Sequence, residues 1–150
     1  MLKYRFRYET LLKVRRAKER EALMVLTEKR RGHQEMLEIK QYFLGELEKA
    51  CSRRERLGID PTTIAGFQVE NDYIRGTQQR ISQVDHKLVK TKRNVEKAME
   101  VYSYARKQTR LTEVLYEKSL MAYRKEVSRR EQKNADELVL QRRAARLGED

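Results

Sequence analysis

Residues 57–63, LGIDPTT, contain the clearest break in a sequence that is otherwise typical of long helices. Gly58 suits the left-handed backbone conformation that often ends a helix. Pro61 lacks the amide hydrogen that a continuing helix would donate, and Asp60 or Thr62 can cap the helix that follows. The stretch therefore predicts a tight turn between two helices.

The composition favours long helices with a narrow buried face over a compact domain. Of the 150 residues, 39% are charged and 39% are apolar, whereas an average globular domain has about 25% charged and about 45–50% apolar residues. We predict an all-α fold, a long antiparallel two-helix coiled-coil hairpin whose second helix is longer than the first. Its parts are a first helix over residues 1–57, a turn over 58–62 and a second helix over 63–147, which extends past the first from about residue 117.

The second predicted helix carries a strict seven-residue repeat. Counted from Phe67, every seventh residue is large and apolar except one threonine: Phe67, Ile74, Ile81, Leu88, Val95, Tyr102, Thr109, Tyr116 and Tyr123. The positions three residues further along are mostly small or moderately polar: Glu70, Thr77, Val84, Thr91, Ala98, Ala105, Thr112 and Ser119. A repeat of exact sevens is typical of a left-handed coiled coil. These two rows predict the buried seam of the second helix.

The first predicted helix has a less regular apolar pattern. An alternating spacing of three and four residues selects Tyr8, Leu11, Ala22, Val25, Met36, Ile39, Phe43, Ala50 and Leu57 as its seam. Leu12, Leu26 and Leu47 lie beside this row, and Arg15, Lys18 and Lys29 interrupt it. Because a short turn joins the helices, we expect this seam to pack antiparallel on the second helix.

The first residues, KYRFRYETLL, alternate aromatic and basic side chains. This alternation is typical of a half-buried strand, and a basic aromatic strip could also stack on single-stranded nucleic acid. Helical residues follow with no turn signal, and no nearby segment could pair with a strand. We therefore expect Tyr4, Phe6 and Tyr8 to lie in the first turns of the first helix and to pack on the far part of the second.

The end of the second helix carries apolar residues with no predicted partner on the first helix. They are Leu120, Met121, Tyr123, Val127, Leu138 and Val139. Exposed apolar groups of this kind often mark an interaction surface. We expect this end to bind another protein, although fraying or self-pairing in a dimer are alternatives.

No pattern in the chain predicts an enzyme, a metal site or a cofactor. Cys51 is the one cysteine, and neither His33 nor His86 has a second ligand at metal-binding spacing. Phosphate-binding loops and nucleophile motifs do not occur. The first residues lack the apolar run of a secretory signal, and no stretch is long and apolar enough to cross a bilayer, so we expect a cytoplasmic protein.

The formal net charge of +12 favours an acidic partner. The basic clusters RRAKER, EKRR, KTKR and QRRAAR could contact phosphates. A basic coiled coil that binds nucleic acid or scaffolds an assembly is therefore the alternative function. Two of the four clusters, RRAKER and EKRR, contain compensating glutamates, and no nucleic-acid-binding fold is apparent, so no specific nucleic acid is expected.

Three segments together resemble the FliJ family of flagellar export proteins. They are the opening FRYETLLKVRRAKEREA, the GIDP turn followed by YIRGTQQRI, and the charged end REQKNADELVLQRRAAR. The resemblance covers essentially the whole chain. The corresponding stalk proteins of injectisomes are a close alternative within the same class.

The resemblance implies a non-enzymatic stalk in the type III export apparatus of the bacterial flagellum. Such a stalk inserts the end carrying both chain termini into a hexameric export ATPase ring and promotes ring assembly and activity. It also contacts the cytoplasmic domain of the export gate protein FlhA and works with export chaperones. A place at the cytoplasmic side of the inner membrane, with peripheral membrane contact, and a part in motility and chemotaxis follow from the same resemblance.

The resemblance also points to candidate contact residues. Candidates for the ATPase contact at the termini end are Arg5, Arg7, Arg15, Arg16, Tyr116, Tyr123, Arg142, Arg143 and Arg146. Candidates for the gate contact, carried over from the early second helix, are Tyr73, Thr77, Arg80 and Val84. Thr77 and Val84 also belong to the predicted seam, so burial and gate contact compete at these two positions.

Overall fold

The computed structural model describes residues 3–57 and 64–148. It contains two helices, α1 (Glu9–Leu57) and α2 (Ile64–Leu147), and no strand within the described residues. The predicted all-α hairpin with a longer second helix is confirmed. The predicted turn, with Gly58, Asp60, Pro61 and Thr62, lies outside the described residues.

The chain divides into two compact units, each built from a part of α1 and a part of α2. The terminal unit comprises Met1–Glu19 and Ala105–Asp150, and the central unit comprises Arg20–Tyr104. The helices run antiparallel in the central unit, because partners of α1 residues have falling numbers on α2: Arg30 with Met99, His33 with Thr91, Lys40 with Asp85 and Arg54 with Asn71. In the terminal unit, Tyr4 contacts Ser119 and Arg16 contacts Glu113, which gives the same direction.

Burial along α2 confirms the predicted seven-residue repeat. Every residue of the two predicted rows is buried or half-buried except Phe67, which lies near the start of the helix. The buried Thr77, Thr109 and Thr112 donate their hydroxyl hydrogens to the carbonyl oxygens four residues earlier, at 2.8, 3.1 and 3.0 Å. Because these hydroxyls are hydrogen-bonded, they can be buried without the cost of an unsatisfied polar group.

The predicted seam of α1 was wrong at four positions. Tyr8, Leu11, Val25 and Ile39 are exposed. The buried and half-buried residues lie mainly on two rows, the second of which keeps five of the predicted positions: Leu12, Glu19, Leu26, His33, Lys40, Leu47 and Arg54, and Arg15, Ala22, Met36, Phe43, Ala50 and Leu57. The leucines predicted to lie beside the seam are therefore part of it, and Lys29 is an exposed gap in the second row.

Polar residues within the α1 seam explain part of this error. Arg15 Nη1 donates to Thr112 Oγ1 at 2.5 Å and to the Gln108 carbonyl oxygen at 3.1 Å. Similar contacts join His33 Nδ1 to Thr91 Oγ1 (2.8 Å), Lys40 Nζ to Asp85 Oδ1 (2.7 Å) and Arg54 Nη1 to Asn71 Oδ1 (3.1 Å). A search for apolar residues skips such positions, and beside Lys40 it selects the exposed Ile39. At Leu11 and Val25, by contrast, the buried neighbours Leu12 and Leu26 are also apolar, so the apolar pattern does not distinguish them.

Arg15 and Arg16 are adjacent, yet their substitution is expected to have different effects. Arg15→Ala removes two hydrogen bonds and the packing of the side-chain stem within the seam, so we expect the free energy of unfolding to fall by about 1–3 kcal/mol. Arg16→Ala removes an exposed ion pair with Glu113 (3.3 Å) and should cost less than about 1 kcal/mol. Urea denaturation followed by circular dichroism measures both, and equal losses would contradict the seam position of Arg15.

The prediction that α1 includes the opening aromatic residues was also wrong. Residues 3–6 have no regular secondary structure, residues 7–8 form a turn and α1 begins at Glu9. Phe6 is buried and Tyr4 half-buried, whereas Arg5 and Arg7 are exposed. The alternation therefore belongs to an irregular segment (residues 3–8, the N-terminal segment) that places its first two aromatic rings on α2 and its arginines in solvent.

The N-terminal segment also packs on α2 near the end of the helix pair. Tyr4 Oη donates to Ser119 Oγ at 3.1 Å, and its ring also reaches Tyr123. The N-terminal segment thus covers α2 residues that the sequence pattern left without a partner on the first helix. Beyond Val127, which is half-buried, every described residue from 128 to 148 is exposed.

Candidate protein-interaction surfaces

Five of the predicted ATPase-contact arginines are exposed at the surface of the terminal unit. Arg5 and Arg7 lie on the N-terminal segment, and the Arg7 guanidinium carbon is 5.6 Å from the centre of the Tyr8 ring. The other three, Arg142, Arg143 and Arg146, occupy the last turns of α2. Their forked guanidinium groups can reach carboxylates or backbone carbonyl oxygens of another protein.

The other two predicted arginines make contacts within the terminal unit. Arg15 is half-buried in the seam and bonded to α2, as described above. Arg16 pairs with Glu113, a carboxylate that Arg110 also approaches to 3.7 Å. Arg16 remains exposed and can contact a partner, whereas Arg15 can act on a partner only through the packing of the unit.

The predicted contact tyrosines belong to an aromatic cluster with the N-terminal segment. Tyr4 lies 6.0 Å from Tyr116 and 5.1 Å from Tyr123 between ring centres, and Phe6 lies 5.2 Å from Tyr116. The Phe6–Tyr116 pair is edge-to-face, a geometry that adds about 0.5–1.5 kcal/mol beyond burial. Both tyrosines are half-buried by these rings, so the cluster anchors the N-terminal segment on α2.

The four predicted gate-contact residues fall into two groups. Thr77 and Val84 are buried in the seam between the helices, which resolves the competition noted from the sequence in favour of packing. Tyr73 and Arg80 are exposed on the surface of the central unit. Only the second pair is presented to a partner while the helices remain packed.

Tyr73 is part of a polar network that the sequence pattern did not predict. Its hydroxyl donates to Glu46 Oε2 at 3.1 Å, and the Arg53 guanidinium carbon lies 5.7 Å from its ring centre. Arg53 Nε donates to Glu70 Oε1 at 2.9 Å, and this bond raises the pKa of the guanidinium. Because each contact joins α1 to α2, only the pairing of the two helices reveals the network.

Glu70 contributes an unusual carboxylate to this network. Its Oε1 atom accepts from Arg53, whereas its Oε2 atom is buried and has no hydrogen-bond partner among the described residues. Glu70 is one of the polar residues in the predicted seam of α2. Burial of one carboxylate oxygen is tolerated here because the guanidinium of Arg53 compensates the charge.

Two hydrogen bonds lower the pKa of the Glu46 carboxyl, a larger effect from Lys49 and a smaller one from Tyr73. Tyr73→Phe removes one of these donors, so the pKa of Glu46 should rise toward its ordinary value. A lowered pKa means that the charged form favours the folded state above the unfolded-state pKa, and this contribution disappears as pH falls through the folded-state pKa. NMR titration of the Glu46 carboxyl measures the shift, and an unchanged titration in Tyr73→Phe would contradict the contact. Tyr42→Phe, at an exposed position outside the network, is the control.

The described helices contain no stretch long and apolar enough to cross a membrane. The same residues contain no group of three or more histidine, cysteine, aspartate or glutamate side chains placed to hold a metal ion. His33 Nδ1 lies 2.8 Å from Thr91 Oγ1 in the seam.

Comparison with known families gives one assignment. A family model described as Flagellar FliJ protein matches residues 4–148, which include both α1 and α2. No curated protein and no solved structure matches the chain. The chain belongs to the FliJ family, and its general role lies in flagellar protein export.

Proposed function

We propose that the chain is a non-enzymatic stalk of the flagellar type III export apparatus. Its terminal unit inserts into the hexameric ring of the export ATPase and promotes the assembly and activity of that ring. The central unit contacts the cytoplasmic domain of the gate protein FlhA, and the stalk also engages export chaperones. This places the chain in the cytoplasm, peripherally associated with the inner membrane, where it supports motility and chemotaxis.

The observation that best supports the ATPase contact is the arrangement of arginines in the terminal unit. Arg5 and Arg7 are exposed on the N-terminal segment, and Arg142, Arg143 and Arg146 are exposed where no described residue packs on α2. Exposed arginines of this kind can use the N–H groups of their guanidinium to bind a partner protein. The net charge of +12 adds long-range attraction to an acidic surface.

The remaining candidate residues of the terminal unit support this contact in different ways. Arg16 can bind a partner at the cost of an exposed ion pair with Glu113, which is weak in water. Arg15, Tyr116 and Tyr123 hold α1 and the N-terminal segment on α2. Their substitution would weaken ATPase binding by loosening the unit that carries the exposed arginines.

For the gate contact, we propose Tyr73 and Arg80 as the residues that touch FlhA. Tyr73 is held in place by Glu46 and lies against Arg53, so it presents a fixed aromatic edge with charged neighbours. Thr77 and Val84 act from the seam, where they keep this face of α2 in register with α1.

Binding to the purified export ATPase tests the proposed ATPase contact. The triple variant Arg142→Ala, Arg143→Ala, Arg146→Ala should bind at least about tenfold more weakly in sedimentation or light-scattering titrations, a loss of about 1.4 kcal/mol. The matched control replaces Arg124, Lys125 and Arg129 with alanine, because it removes the same charge from other exposed positions of α2. Equal losses in both variants would show that only net charge matters, and no loss in the first would contradict the contact.

A further inference from the structure

The terminal unit exposes an apolar cluster that lies outside its seam. Leu11 and Val14 of α1 are 40% and 46% exposed, and Leu111 and Leu115 of α2 are 59% and 51% exposed. Leu11 and Val14 lie in the first two turns of α1, and Leu111 and Leu115 lie in the interior of α2. Scattered single apolar residues are normal on a surface, but a cluster from two adjacent helices usually marks an interaction site.

The register of the helix pair places these four residues on one side of it. The seam of the unit runs through Leu12 and Arg15 on α1 and through Thr109, Thr112 and Tyr116 on α2. If the seam residues Leu12, Thr109 and Tyr116 are the a positions of the heptad, Arg15 and Thr112 are the d positions. Leu11 and Leu115 then occupy g positions, and Val14 and Leu111 occupy c positions. The g positions of two antiparallel helices flank the same groove, and the c positions lie just outside them.

The opposite side of the same unit is ionic. Arg16 and Glu113, which pair at 3.3 Å, both occupy e positions, and Arg110 extends the ion pairs to Glu117. The two sides of one helix pair therefore differ in chemistry, one lined by ion pairs and the other by apolar side chains. The seam alone does not require apolar residues at c and g.

An apolar stripe at c and g positions on both helices has the geometry that receives a third helix. Side chains spaced three and four residues apart form ridges, and a helix packs its own ridges into the groove between them. One heptad beyond Leu11 and Leu111, the corresponding positions are the exposed Lys18 and Lys118. The apolar cluster is therefore flanked by positive charge.

We propose that this surface, Leu11, Val14, Leu111 and Leu115 flanked by Lys18 and Lys118, docks an amphipathic α-helix of another protein that carries acidic residues beside its apolar stripe. Charge complementarity selects this occupant, because the lysines attract carboxylates. A second copy of the chain is disfavoured by mutual repulsion at a net charge of +12. The proposal does not rest on the ATPase contact, which uses other residues of the unit.

A designed amphipathic peptide provides the probe. Its heptads carry leucine at a and d and glutamate at e and g, and a second peptide carries lysine in place of glutamate. Fluorescence anisotropy of the labelled peptides, at moderate salt, measures binding to the full chain. The glutamate peptide should bind at least about tenfold more tightly than the lysine peptide.

Two double variants locate the binding site. Leu111→Ser with Leu115→Ser should weaken binding of the glutamate peptide at least about tenfold, because it removes half of the apolar cluster. Met121→Ser with Leu138→Ser is the matched control, since both residues are exposed apolar positions of α2 away from this surface. This control variant should bind the glutamate peptide as tightly as the unchanged chain does. Circular dichroism checks that all variants remain helical.

Three results would overturn the proposal. The first is equal binding of the two peptides, and the second is equal effects of the two double variants. The third is self-association of the unchanged chain in analytical ultracentrifugation that Leu111→Ser with Leu115→Ser abolishes, which would make a second copy the occupant.

Discussion

Leu26→Ala is expected to lower the free energy of unfolding by about 2–5 kcal/mol, the loss typical of a deeply buried leucine. Leu26 is 1% exposed and is one of the largest side chains fully enclosed in the structure. Its neighbour in the same row of the α1 seam is the polar His33, and Ala22 precedes it in the other row. Leu26 is therefore the one bulky apolar side chain in this part of the α1 seam, so its truncation is expected to be costly.

Met24→Ala is the matched control for Leu26→Ala. Met24 lies two residues earlier on the same helix and is largely exposed, so its truncation should change stability by no more than about 0.5 kcal/mol. Urea denaturation followed by circular dichroism measures both variants. Similar losses at the two positions would show that the seam of α1 does not pass through Leu26.

Phe6→Ala is expected to release the N-terminal segment from α2. A buried phenylalanine contributes about 3–5 kcal/mol relative to alanine, and Phe6 is buried with its ring 5.2 Å from that of Tyr116. We expect the free energy of unfolding to fall by about 3 kcal/mol, because an irregular segment can detach from the helix rather than leave a cavity. Amide hydrogen exchange should then accelerate in α2 around residues 116–123, while the central unit keeps its protection.

Arg5→Ala is the control for the Phe6 variant. Arg5 lies in the same irregular segment but points to solvent, so its truncation should leave the exchange of residues 116–123 unchanged. Unchanged protection of this part of α2 in Phe6→Ala would contradict the anchoring role of the aromatic cluster. Acceleration along the whole chain would instead indicate that Phe6 supports both units.

The sequence was sufficient to predict α2 because its seam is apolar or weakly polar at nearly every heptad position. Thr109 is an exception in the large-residue row, yet its heptad position buries it, and its hydroxyl is satisfied by the Ala105 carbonyl oxygen. The seam of α1 could not be predicted in the same way. Arg15 and His33 occupy seam positions there and are satisfied by partners on α2, which only the paired structure reveals.

The opening segment and the candidate contacts illustrate the same limit. Alternating aromatic and basic residues are compatible with a strand, a helix or an irregular segment, and packing on Tyr116 and Tyr123 decides among them. Family resemblance provided the candidate residues but not their burial. Thr77 was a candidate for the gate contact and also a predicted seam residue. Its side chain is buried, so in the packed helix pair it belongs to the seam.

The central claim is that the chain acts as a stalk for the export ATPase, and the ATPase rate tests it most directly. The rate of the cognate export ATPase is measured at moderate salt with the full chain, with a chain truncated after Val127, and without either. The account predicts stimulation by the full chain, accompanied by a larger ATPase assembly, and loss of stimulation when the exposed residues from 128 onward are absent. No stimulation and no association, at concentrations where the chain binds DNA in a salt-sensitive and sequence-independent way, would contradict the stalk and favour nucleic-acid binding.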